Sequence, residues 1–173
     1  MFRLRHEASF DAPIATVYDS LLTVLARRRW AGEAWFAVDR RPSVGQQYVV
    51  RNGAVVRRGR VVECLYPVLL TLQEILFDPP CRVRVRLRWR FEPTDAATAL
   101  RLDTSCELNR PASLNRKRWQ AEIDAHCARL HVATAAALDD AAAQGVGDSG
   151  QRIGNSTMTV TNATRVNGTP SFK

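Results

Sequence analysis

The chain opens on a strict alternation. Phe2, Leu4, His6, Ala8 and Phe10 fall on one side, with Arg3, Arg5, Glu7 and Ser9 on the other. That is the two-residue period of a strand with one buried face. The period then lengthens: Ile14, Val17, Tyr18, Leu21, Leu22 and Leu25 recur at helical spacing behind Asp11, a capping residue, and Pro13, which suits a first turn. A helix over about 13–26 is expected. "RRRWAGEAW" reads as a turn with room for a short helix, and "WFAVDR" as a strand.

From Gln46 to Asn109 the pattern is a meander of strands. "QQYVVRNG" closes on Asn52-Gly53, a strong hairpin signal. "AVVRRGRVVECLY" runs to Pro67, and "VLLTLQEILF" is more continuously apolar and stops at Asp78-Pro79-Pro80. In "CRVRVRLRWRF" five arginines, Arg82 to Arg90, alternate with Val83, Val85, Leu87, Trp89 and Phe91. A turn at "PTDAAT" leads into "ALRLDTSCEL", and Asn109-Arg110-Pro111 breaks the pattern. "ASLNRKRWQAEIDAHCARLHVATAAALDDAAAQG" then predicts one long helix. Its apolar stripe runs through Trp119, Ile123, His126 or Cys127, Leu130, Ala133 or Thr134, and Ala137 or Leu138, and Gly145 is a fitting stop. The remaining "VGDSGQRIGNSTMTVTNATRVNGTPSFK" has few large apolar residues. It is expected to be a disordered tail over 146–173, leaving a domain over 1–145.

The arginine strand and its successor fit as a hairpin. Antiparallel pairing sets Trp89 against Leu102, Leu87 against Thr104 and Val85 against Cys106, and on the other face Arg88 near Asp103 and Arg84 near Glu107. A one-residue slip would bury five guanidiniums, each at several kcal/mol unless paired. The arginines therefore face water. Their acidic neighbours dilute the positive field, and Trp89 and Phe91 lie on the opposite face, so nucleic acid is not the expected partner.

Composition adds limits. The chain has 173 residues, 46% of them hydrophobic, and a net charge of +8. One domain with a real core is the simplest reading. No apolar run approaches the roughly 20 residues that span a bilayer. "MFRLRHEASF" carries charges where a secretory signal would be apolar, so a cytoplasmic protein is expected. Cys64, Cys81, Cys106 and Cys127 form no metal-binding spacing and read as reduced, partly buried thiols. No metal and no cofactor are expected. The sequons at Asn155, Asn162 and Asn167 lie in the tail, and without an export signal they read as accidents of its composition.

Taken together, "ASFDAPIATVYDSLLTV…RRRW", "GRVVECLYPVLLTLQE" and "WRFEPTDAATALRLDTSCEL" resemble the START-related helix-grip superfamily, also called SRPBCC. The resemblance covers about residues 2–143. It implies an α+β chain: a curved antiparallel sheet wrapped around a long C-terminal helix, with a helical insertion after strand one. It also implies an apolar cavity between sheet and helix that takes lipids, polyketides or other hydrophobic molecules. A minority of such proteins are polyketide cyclases or dehydratases.

Within that frame the expected ligand-binding residues are Leu87, Trp89, Leu102, Trp119, Ile123, His126 and Leu130. A catalytic residue is not identifiable. His126 and Glu74 are the weak acid/base candidates. The plainer reading of His126 is a hydrogen-bonded or flank-exposed histidine. Glu74, the one acid in an apolar strand, could face inward, but outward pairing with a neighbouring arginine is preferred. Tyr48 and Tyr66 could offer phenols to a ligand, although strand tyrosines are usually structural. Trp30 and Trp35 read as wall or core. Three functions compete: binding of a hydrophobic molecule, a cyclase or dehydratase using the same cavity, and an interaction module using the arginine face and the basic "NRKRWQ".

Overall fold

The computed structural model describes residues 1–26, 42–52, 55–95, 97–145 and 159–161. The turn and strand expected over 27–41, with Trp30 and Trp35, lie outside the described residues. In chain order the elements are β1 (Phe2–Phe10), α1 (Ile14–Ala26), β2 (Gln47–Asn52), β3 (Val55–Leu65), β4 (Leu69–Asp78), β5 (Cys81–Pro93), β6 (Thr98–Leu108), α2 (Arg110–Leu114), α3 (Arg116–Gly145) and β7 (Thr159–Thr161). The strands form one antiparallel sheet in the order β2-β3-β4-β5-β6-β1-β7. This is an α+β helix-grip architecture, a curved sheet with a long C-terminal helix on its apolar face.

Alternation fixes the sheet's two faces. In β5, Val83, Val85, Leu87, Trp89 and Phe91 are buried, while Arg82, Arg84 and Arg86 are exposed and Arg88 and Arg90 half-buried. Each large apolar side chain so placed contributes about 1.5–3 kcal/mol. The β5–β6 register is the expected one: Trp89 pairs with Leu102, Leu87 with Thr104, Val85 with Cys106, Arg88 with Asp103 and Arg84 with Glu107. The Arg84 guanidinium donates to Glu107 at 3.0 Å. Asp103 instead accepts from Arg5 of β1 at 2.9 Å, and Arg88 lies 3.6 Å from Glu63 of β3. A register irregularity between Val61 and Glu63 turns Glu63 toward Thr71, whose hydroxyl donates to it at 2.6 Å. β1, separated from the meander by α1, pairs with β6, bringing the chain's first strand beside its last long one.

The apolar face is closed by α3, with α1 packed against both α3 and β5. Trp119, Ile123, His126, Cys127, Leu130, Thr134 and Leu138 are buried along α3, the expected stripe. His131 is buried too, because α3 is covered on more than one side. Tyr18 of α1 packs its ring 4.9 Å from that of Phe91 and 5.1 Å from that of Tyr66, and its hydroxyl lies 3.2 Å from Cys64 Sγ.

One expectation needs correction. The C-terminal helix is not continuous. Asn109 caps α2 by accepting from the Ala112 N–H, α2 ends at Asn115, and α3 starts at Arg116. A side-chain acceptor at Asn109 satisfies a free helix N–H, which pattern alone read only as a break. Residues 159–161, placed in the tail, add a short strand, Thr-Val-Thr, paired with Glu7–Ser9 of β1. The rest of 146–173 lies outside the described residues. No helix among the described residues is long and apolar enough to cross a membrane.

Candidate functional site

The sheet's inner face is mostly apolar, with one group of buried polar side chains where β2–β4 meet α3 and another around His6 of β1 and Thr104 of β6. Across β2, β3 and β4 the pairing aligns Tyr48, Gly59 and Glu74, with Val85 next on β5. Glu74 is 1% exposed and accepts a hydrogen bond from the Tyr48 hydroxyl at 2.7 Å. Tyr48 and Glu74 stand two strands apart, about 9.6 Å at ordinary strand spacing. The phenol reaches across because the strand between carries Gly59, where any side chain would overlap the Tyr48 ring. A glycine in mid-strand here makes space for a close approach and is not a turn residue.

Arg57 projects inward one pair further along β3. Its Nη1 lies 3.9 Å from Glu74 Oε2 and 3.2–3.3 Å from the two ring nitrogens of His126 on α3. A neutral imidazole has one acceptor nitrogen, so this guanidinium satisfies at most one of those two contacts. Arg57, Glu74, Glu122 and His126, with apolar neighbours that include Leu87 and Ile123, enclose a cavity of about 20 Å³ between β3–β5 and α3. That is room for about one water molecule.

The preferred outward orientation of Glu74 is therefore overturned. Asp78 pairs with Cys81, so Pro79 and Pro80 alone form the turn, and counting back sets Glu74 opposite the inward Val85. His126 is also inward, 4% exposed. The structure brings these two acid/base candidates to one cavity with Arg57 between them. Of the seven expected ligand-binding residues, Leu87, Ile123 and His126 line the cavity. Trp89, Leu102, Trp119 and Leu130 are buried in the core and do not line it. Tyr66 stands at the other end of the core, against Tyr18.

Arg57 is the site residue that sequence reading missed. A signal was present: Arg57 and Arg58 are adjacent in a strand, so one of them must face inward. Tyr48 was seen only as a possible phenol donor to a ligand; its partner here is Glu74.

Two further buried groups lie on the same helix. His131 rests against His6 of β1, ring centroids 5.9 Å apart and edge-on. Burial, with the nearby His6 adding to it, pushes the His131 pKa down to about 4. Burial also lowers that of His6, opposed by Asp124, whose Oδ1 is 3.0 Å from His6 Nε2. Cys127 lies 3.5 Å from the Thr104 hydroxyl, and burial pushes its thiol up to about 12. Such a thiol is protonated and a poor nucleophile. All four cysteines are free, and among the described residues no cluster of His, Cys, Asp and Glu could hold a metal ion.

No family model matches the chain, and no curated protein matches it in sequence. Solved structures do. DynU16, a protein in the dynemicin biosynthetic locus, aligns at 22% identity with a TM-score of 0.55, over 79% of this chain and 47% of its own. The chain thus spans about half the length of that protein. MLL2253 from Mesorhizobium loti aligns at 18% identity and TM-score 0.62, over 80% of this chain and 97% of its own. A conserved protein from Geobacillus kaustophilus aligns at 12% and 0.58, over 82% and 95%. The likeness at these identities is one of fold. The chain has the helix-grip fold, with one group of buried polar side chains where β2–β4 meet the long helix and another where β1 meets it.

Proposed function

We propose that the protein binds a hydrophobic small molecule, of lipid or polyketide type, between its sheet and α3. A polar end of the ligand is held by Arg57 and His126. The observation that carries this reading is the corner itself. A carboxylate, a phenol, a guanidinium and an imidazole converge at a cavity between the sheet and α3 whose remaining walls include Leu76, Val85, Leu87 and Ile123. Ligand sites combine apolar walls with a few placed polar groups in this way. DynU16, which shares the fold, lies in a natural-product locus, and this supports a ligand of that chemical class.

The cavity of about 20 Å³ is far smaller than the roughly 300–1,000 Å³ that a drug-sized ligand fills. Binding therefore requires the α3 side chains Ile123 and His126 to part from Leu87 and Arg57, a minor conformation that the ligand selects. Mass spectrometry of gently purified protein tests this. One apolar ligand per chain is the expected result. A ligand-free protein that also gives no saturable binding across a panel of fatty acids, sterols and polycyclic phenols would end the proposal.

A second reading is favoured by one observation: both acid/base candidates, Glu74 and His126, reach the same cavity. In a cyclase or dehydratase one would remove a proton from carbon and the other return one to oxygen, with Arg57 stabilising the enolate. Glu74→Gln and His126→Gln would then abolish turnover of a polyketide substrate while leaving its binding within a few-fold. Loss of binding in parallel with turnover would mean that the two residues hold the substrate and do not transfer its protons, and no turnover by the wild type would leave a container alone.

A further inference from the structure

The face of the sheet turned away from α3 has no chain element packed on it among the described residues. Its arginines are not evenly diluted by acids. Following the register across the strands, one row reads Arg3 on β1, Ser105 on β6, Arg86 on β5, Gln73 on β4, Arg60 on β3 and Gln47 on β2. It contains three guanidiniums, two amides, one hydroxyl and no carboxylate. The acids stand in the rows on either side, and each has a partner of its own: Glu107 with Arg84 at 3.0 Å, Asp103 with Arg5 at 2.9 Å, and Glu63 with Thr71 at 2.6 Å.

Within the row, Arg60 donates to the neutral Gln73 carbonyl at 2.9–3.1 Å. Arg86 approaches a carboxylate, Glu63, only at 3.9 Å, and Arg3 has no carboxylate partner among the described residues. Two surface hollows open along the row. One, of about 450 Å³, is walled by Arg3, Arg5, Arg86, Arg88 and Arg90 over Ser105, with Asp103, held by Arg5, as its one carboxylate. The other, of about 470 Å³, is walled by Arg58, Arg60 and Arg84 beside Gln73.

We propose that this face binds the phosphodiester backbone of a single-stranded nucleic acid laid across the strands along that row. Guanidinium, amide and hydroxyl donors are the groups that contact phosphate and sugar oxygens. Five inter-strand steps make the row about 24 Å long, enough for several nucleotides. An acidic protein fits less well, because the row offers no apolar anchor; the exposed Val49, Leu65 and Val68 lie off it. A rigid duplex meets a sheet that bends away around α3, whereas a flexible strand follows it into both hollows.

Sequence reading set nucleic acid aside on two grounds, dilution by acids and aromatics turned inward. The register narrows the first, since the diluting acids stand in the neighbouring rows and are held there by Arg84, Arg5 and Thr71. The second defines the mode: among the described residues Phe77, on this face, is half-buried under Arg58 and Arg82 and offers no free ring to stack on, so binding is to the backbone, blind to base sequence and dependent on salt.

Fluorescence anisotropy with labelled 20-mers of oligouridine and oligothymidine tests this. The wild-type protein binds both at low salt, with log K falling against log salt at a slope of about −2 for three phosphate contacts. The triple variant Arg3→Gln, Arg60→Gln, Arg86→Gln weakens binding at least tenfold and flattens that slope by about 2. Arg116→Gln with Lys117→Gln, at the start of α3, leaves both unchanged. Circular dichroism checks the fold, and if the triple variant is unfolded the three single variants each flatten the slope by about 0.7. Four results would overturn the proposal: no saturable binding at low salt, a variant slope equal to wild type, a duplex bound more tightly than the single strand, or polyglutamate or phosphatidylserine vesicles competing as well as the oligonucleotide at equal charge.

Discussion

His131 offers a quantitative test of how α3 is seated on the sheet. Its imidazole is 2% exposed, its neighbour across the interface is His6 of β1, and its Nε2 has no hydrogen-bond partner. Burial holds its pKa at about 4, against an ordinary 6.5. Because the folded value is depressed, the neutral form is the one the fold accepts. Between about pH 6.5 and pH 4 the unfolded chain binds a proton that the folded chain refuses, so stability falls as pH falls through that window. The gap of about 2.5 pH units, at about 1.4 kcal/mol each, amounts to about 3 kcal/mol, of which about 2 are lost by pH 5. A domain with a total of 5–15 kcal/mol will show this clearly. His6 adds to the loss with the same sign, with Asp124 working against it. The carboxylate of Glu63, held below its usual range by the Thr71 hydroxyl and then by Arg88 and Arg86, loses its contribution only below about pH 4.5. Urea denaturation from pH 7 to pH 5 reads the effect as a midpoint lowered by about 1 M, for a denaturant slope near 2 kcal/mol/M. In His131→Leu, which keeps volume and removes the titrating group, most of that drop disappears. A wild-type midpoint constant over this range, or an equal drop in the variant, would show that α3 does not bury this histidine as described.

Other outcomes follow from the same geometry. Gly59→Ala forces the Tyr48 ring off Glu74 and costs about 1–3 kcal/mol, an overpacking effect read by thermal unfolding; a neutral result would mean the ring does not cross β3. Glu74→Gln leaves an acceptor for Tyr48 but removes the charge facing Arg57, and destabilises by about 1.5–3 kcal/mol in chemical denaturation. Trp89→Ala, at a fully buried position, costs about 3–5 kcal/mol, whereas Arg84→Ala, which breaks only the exposed pair with Glu107, costs less than about 1 kcal/mol. Reversing that ranking would contradict the assignment of the two faces.

What the amino-acid pattern revealed depended on how many constraints met at a position. The β5–β6 register was readable because both faces had to be satisfied at once, five apolar residues inward and five arginines outward. Glu74 faced no such double test. Its direction depends on the turn between β4 and β5, where pairing of Asp78 with Cys81 decides the parity. The use of Gly59 as space for a phenol from the next strand appears only when Tyr48, Gly59 and Glu74 are set side by side. The break at Asn115 was hidden by the good helix formers on either side of it. The contact of His6 with His131 joins residues far apart in the chain, and neither local period announces it.

On the proposed function, β3–β5 and α3 part around a hydrophobic ligand at the Arg57–Glu74–His126 corner. Isothermal titration of an apolar ligand recovered from the purified protein, into wild type and into Ile123→Trp, is the most direct test. Tryptophan at 123 fills the corner from the helix side. The account predicts one saturable site in the wild type, with the negative heat-capacity change of apolar burial, and at least tenfold weaker binding in a variant whose circular dichroism is unchanged. Equal binding by the two folded proteins would place the ligand elsewhere and contradict the account.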